Sequence, residues 1–85
     1  MNKYAKQPDE IIDLHGYTTH EAGLLLDTLL TEEHTHVRII VGKGNHSKGG
    51  AVLPDFVKNY LHEKNINFSQ SKFTDGGEGS LEVYF

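Results

Sequence analysis

At 85 residues the chain has room for one domain with a small core. It has no cysteine, which excludes disulfide staples and thiolate metal centres. No apolar run nears the ~18 residues of a membrane span, and residues 1–9 lack the apolar stretch of a signal peptide, so a monomer in the cytoplasm, with no membrane partner, is expected. The net charge of −4 argues against nucleic acid as a partner, but the charges are unevenly placed. Residues 34–54 hold no Asp or Glu and carry Arg38, Lys43, Lys48 and three histidines, leaving 5 basic against 12 acidic residues elsewhere. An electrostatically two-sided molecule is expected.

In chain order, residues 1–8 read as a flexible lead-in and residues 9–85 as the domain. Glu10 to His15 reads as a strand ended by Gly16. Thr18 with Glu21 forms a capping-box pattern, and Ala22, Leu25, Leu26, Leu29 and Leu30 make an apolar helical stripe, predicting a helix over about 19–33 with residues 24–30 as core. Val37 to Val41 is a β-branched run that suits a buried strand. After a segment of glycines and small polar residues, Leu53, Phe56, Val57, Tyr60 and Leu61 predict a second helix over 52–63, with Pro54 in its first turn and Asn65 ending it in the left-handed conformation. Ile66 and Phe68 alternate with polar residues. A glycine turn over 74–80 follows, and Leu81, Val83 and Phe85 then mark a last strand.

The order is β-α-β-α-β-β. Two right-handed crossovers moving the same way put both helices on one face, giving a two-layer α/β sandwich on a four-stranded mixed sheet. Ile12 and Leu14 then face the helices, while Ile11, Asp13 and His15 face away. Parallel strands share a carboxyl edge, where ligands bind. The segments at His15-Gly16, Gly42-Lys43-Gly44 and Gly76-Gly77-Glu78-Gly79 should converge there.

Asp13 and His15 point the same way on a strand. The carboxylate can orient the imidazole and raise its basicity as a general base, or the two can ligate a divalent cation such as Mg²⁺ or Mn²⁺. As a bare spacing, Asp-x-His is a weak motif and more often marks a strand end with two polar residues on an open face. The segment from Gly42 to Gly50 suits phosphate: glycine amides approach without a Cβ in the way, Lys43 and Lys48 add charge, and His46 and Ser47 add hydrogen bonds. It is not a Walker loop, since the Gly-Lys-Ser/Thr ending is missing. A plain flexible loop is the alternative. His34 and His36 lie at a helix-to-strand junction with Glu32 and Glu33 as the nearest carboxylates. His20 and His62 fall on helices and suit solvated positions.

Ile12-Asp13-Leu14-His15-Gly16 resembles the L-D-L-H-G motif that opens the Smr (small MutS-related) domain. Gly42-Lys43-Gly44-Asn45-His46-Ser47-Lys48-Gly49-Gly50 is similar to its T-G-x-G-x-H-S-x-G-G segment, and Gly76-Gly77-Glu78-Gly79 to its G-G-x-G. The resemblance spans about residues 9–85. It implies a fold like the C-terminal domain of translation initiation factor 3, with the last strand antiparallel inside the sheet. It also implies nicking or endonuclease activity on DNA or RNA, with Asp13 and His15 tied to cleavage and Gly42 to Gly44 to nucleic-acid contact. Val41 stands where Thr or His is usual, which is expected to remove one polar group from the site. The expectation is therefore an endonuclease. Asp13, His15 and His46 are its catalytic candidates, and Gly16, Gly42, Lys43, Gly44, Ser47, Lys48, Gly77 and Gly79 its phosphate-binding candidates. The competing expectation is a non-catalytic module for structured or single-stranded nucleic acid or the ribosome.

Overall fold

The structure, a computed structural model, describes residues 7–42 and 52–85. Their order is β1 (Glu10–Asp13), α1 (Thr19–Leu29), β2 (His36–Ile40), α2 (Val52–Glu63), β3 (Asn67–Gln70), two 3-10 turns (Phe73–Asp75 and Gly77–Gly79) and β4 (Ser80–Tyr84). The sheet order is β1-β2-β4-β3. β1 and β2 are parallel, and β4 runs antiparallel to both of its neighbours. The last strand therefore sits inside the sheet, paired with β2 from His36 opposite Tyr84 to Ile40 opposite Ser80.

Strand alternation sets the two faces. Val37 and Ile39 of β2, Leu81 and Val83 of β4, and Leu14 just beyond β1 are all buried. They form one core with Ala22, Leu26 and Leu29 of α1 and Val57 and Leu61 of α2. Both helices thus cover the same sheet face. Each fully buried leucine contributes about 1.5–3 kcal/mol. Ile11, on the other face, is exposed.

Local signals act as the sequence predicts at three helix ends. Thr18 Oγ1 accepts the Glu21 N–H at 3.1 Å, and Glu21 Oε1 accepts the Thr18 N–H at 2.9 Å, closing the capping box. Pro54 lies in the first turn of α2, and Asn65 leaves that helix at φ 59°. The other end of α1 differs, since the helix stops at Leu29 rather than 33. The N–H groups of Thr31 and Glu32 bond back to the carbonyls of Thr28 and Leu29, and the Thr31 hydroxyl donates to the Thr28 carbonyl. These three-residue bonds tighten the last turn and end the helix. The predicted core over 24–30 also narrows. Leu26 and Leu29 are buried, but Leu24 and Leu30 lie on the solvent side. Tyr60 Oη donates to Asp27 Oδ1 at 2.6 Å, tying α2 to α1, and partial burial beside that carboxylate pushes the phenol pKa up. No helix among the described residues is long and apolar enough to cross a membrane.

Candidate active site at the carboxyl edge

β1 ends by presenting Asp13 and His15 on the open side of the sheet. Asp13 Oδ1 lies 2.5 Å from His15 Nδ1 and also accepts the His15 N–H at 3.0 Å. The hydrogen bond from the ring, with the backbone bond behind it, holds the Asp13 pKa below the usual carboxylate value. An ionised Asp13 takes an N–H from Nδ1, and Nε2 has no partner among the described residues. Both side chains are accessible, with exposures of 72% for His15 and 48% for Asp13.

Two turns frame the pair. Gly16 follows it at φ 84°, and Gly42 lies just beyond β2 at φ 75°. A Cβ placed on Gly42 would stand 3.7 Å from His15 Cβ, so the second segment comes against the first. The third joins through the main chain, since the Gly79 carbonyl accepts the N–H groups of Val41 at 2.8 Å and Gly42 at 3.0 Å. The predicted convergence of three distant segments is thus present in geometry. Gly76 is held at φ 117°, and a Cβ there would stand 2.7 Å from Ser80 Cβ, so a side chain would displace the start of β4.

One expected role changes. The glycine amides do not stand open to phosphate at three of the candidate positions. Gly42 donates to Gly79, Gly79 to Gly76, and Gly77 to Lys72. These glycines shape the edge rather than offer donors. The remaining candidates, Lys43, Gly44, His46, Ser47 and Lys48, lie outside the described residues.

The family model for the Smr domain matches residues 12–85. This chain belongs to the Smr domain family. The Smr domain of Thermus thermophilus MutS2 superposes with a TM-score of 0.73 at 27% identity, covering 88% of this chain and 95% of that one. The human small-MutS related domain gives a TM-score of 0.67 at 31% identity, covering 87% and 98%. The solution structure of the B3BP Smr domain gives 0.67 at 29%, covering 88% and 76%. An uncharacterized protein of Treponema pallidum (strain Nichols) is 43% identical over 58 residues, which is 64% of this chain and 29% of that protein.

Three features of this Smr domain correct the sequence reading. Val41, expected to cost the site a polar group, is buried in the core, so a polar side chain there would face the leucines and valines rather than the edge. The basic segment is also partly neutralised. Arg38 Nε bonds Glu82 Oε2 at 2.7 Å, and its guanidinium lies 3.6 Å from Asp75. Its two preceding histidines have carboxylate partners as well. His34 Nε2 lies 3.0 Å from Glu32 and 3.6 Å from Glu10, whose approach from β1 the sequence does not reveal. His36 Nε2 lies 2.5 Å from Glu82. His34 and His36 therefore face different partners and share no site.

Glu82 is the residue that sequence reasoning missed. It reads as the polar half of an alternating strand, yet it is only 7% exposed. It receives His36, Arg38 and the Ser71 hydroxyl, and Ser71 also bonds Ser80 at 2.8 Å. Burial pushes its pKa up, but these hydrogen bonds outweigh that and hold it below the ordinary value. The network joins β2 and β4 to Ser71, just beyond β3, beside the Gly76–Gly79 turn and ties that region to the sheet.

Proposed function

We propose that this Smr domain cleaves phosphodiester bonds in nucleic acid, with His15 as general base. The observation that carries the reading is the Asp13–His15 pair: a carboxylate fixes the ring through Nδ1 while the His15 side chain stays exposed at the edge where three segments meet. On RNA, Nε2 takes the proton of a 2′-hydroxyl and the 2′-oxygen attacks phosphorus. The bond to the 5′-oxygen breaks as that oxygen accepts a proton from a second group. His46 is the residue proposed for that proton. Lys43 is proposed to meet the charge developing on the phosphoryl oxygens. Hydrolysis of DNA calls more for a divalent cation. Asp13 and His15 provide too few donors for a protein cage, but magnesium takes one or two carboxylates with substrate phosphates and water, and Asp13 would hold it.

The occupied amides of Gly42, Gly77 and Gly79 favour the second reading, a binding module without catalysis, because they leave fewer donors for a transition-state oxyanion. Supercoiled plasmid and a structured RNA, each incubated with wild type or His15→Ala in Mg²⁺, Mn²⁺ or chelator, separate the readings. Cleavage lost in His15→Ala supports the nuclease. Retained binding with no cleavage by wild type under any condition supports the module.

A further inference from the structure

Phe73 is 94% exposed, by far the most exposed large apolar side chain among the described residues. Water contact at an aromatic ring forgoes a large burial gain, and a ring held in the open can stack its face on a flat partner. The ring is carried on a well-defined support. Asp75 and Gly77 donate to the Lys72 carbonyl at 2.8 and 2.9 Å, and Gly76 closes the turn in the left-handed conformation. Beside it opens a groove of about 300 Å³ lined by Gln70, Phe73, Gly76, Gly77 and Glu78.

The chemistry of that groove selects its occupant. Glu78 repels a phosphate, so the groove does not suit the backbone of a nucleic acid. An aromatic face suits the flat face of a base. A carboxylate and a carboxamide suit its edge, since acidic side chains accept from the exocyclic amine of cytosine and glutamine pairs with adenine. Lys72, the residue before Phe73, is exposed at the start of the turn and adds a positive charge next to the ring. Phe73 follows β3, at the far side of the sheet from β1, so three strand spacings of roughly 14 Å separate the groove from the strand that carries Asp13 and His15. That distance matches a few nucleotides of extended single strand.

We propose that Phe73 and its groove form a stacking subsite for a nucleobase bearing an exocyclic amine, a few nucleotides from the phosphodiester held at Asp13–His15. This rests on the proposed action on nucleic acid and adds a single-stranded register to it.

The chain contains no tryptophan, so Phe73→Trp introduces a lone reporter at the subsite. Short single-stranded oligonucleotides of cytosine, of thymine and of abasic residues with the same number of phosphates are titrated against it. The cytosine strand should quench the tryptophan, and the abasic strand should not. Phe73→Ala should weaken the cytosine strand about 5- to 100-fold and leave the abasic strand unchanged. Glu78→Gln should bring cytosine and thymine strands towards equal affinity. Circular dichroism and sedimentation of Phe73→Ala check fold and association. If wild type binds the strands with no dependence on Phe73, the stacking subsite is overturned and the proposed function stands. If wild type binds none of them and cleaves nothing, both fall. A self-association abolished by Phe73→Ala makes the ring a contact between copies and overturns the subsite.

Discussion

Two histidine–carboxylate pairs in this domain share a contact length and differ in surroundings. Asp13–His15 and Glu82–His36 each bring oxygen and nitrogen to 2.5 Å. In the first pair the side chains are 48% and 72% exposed; in the second both are 10% exposed. The first is local, two residues apart on one strand end, and its Nε2 has no partner among the described residues. The second crosses between β2 and β4, and its carboxylate also holds Arg38 and Ser71. Contact chemistry alone therefore does not assign a role. Access separates a group that can exchange a proton with a substrate from one that fastens strands.

Substitutions can test that separation. The largest expected effect is on rate. His15→Ala should lower cleavage by about 10²–10⁴-fold while unfolding at nearly the wild-type temperature. Next comes stability. Glu82→Ala leaves Arg38 and His36 without their buried partner, and denaturant unfolding should show a loss of about 3–5 kcal/mol. An Asp13–His15 pair as costly to remove as Glu82 would erase the distinction.

A smaller, pH-dependent effect follows from Glu82. Its pKa lies below the ordinary value when folded, so the unfolded chain binds its proton first as pH falls. The stabilisation is complete above about 4.5, the ordinary value, and is lost as pH drops through the folded pKa. Asp9, held down by the N–H groups of Thr35 and His36, and Asp13 shift the same way. Wild type should therefore lose stability below that pH. The gap between wild type and Glu82→Gln, followed by thermal unfolding, should narrow as pH falls towards 3. A gap that stays constant would show that Glu82 does not carry the acid limb. The smallest effect belongs to Asp13→Asn, which should leave the unfolding temperature nearly unchanged because its pair is solvated. It should still slow cleavage, since an amide does not supply the charge that favours the imidazolium.

The same contrast explains what was legible in the chain. The Thr18 cap, the apolar stripes and the alternation of Leu81 and Val83 are encoded within a few residues, and they led directly to the elements and their layers. The Asp13–His15 pair was legible for the same reason. Glu82 was not. Its partners His36 and Ser71 lie 46 and 11 residues away, and only strand order brings them together. Glu10 beside His34 escaped on the same ground. The glycine motifs were readable as turns, but which carbonyl would accept each amide was not, so Gly42 and Gly79 were expected to face phosphate when they bond along the chain instead.

The position of β4 has a consequence for how the domain comes into being. The strand that fills the centre of the sheet is the last element in chain order, and its register with β2 joins residues from His36 opposite Tyr84 onward. Until residues 80–84 emerge during synthesis, β2 and β3 have no common neighbour, and Val37, Ile39 and Phe68 lack the strand that lies between them. Closing so long a loop is entropically slow. A chain cut short before residue 80 would therefore lack the strand that covers the inner edges of β2 and β3, and its apolar sheet face would be incomplete.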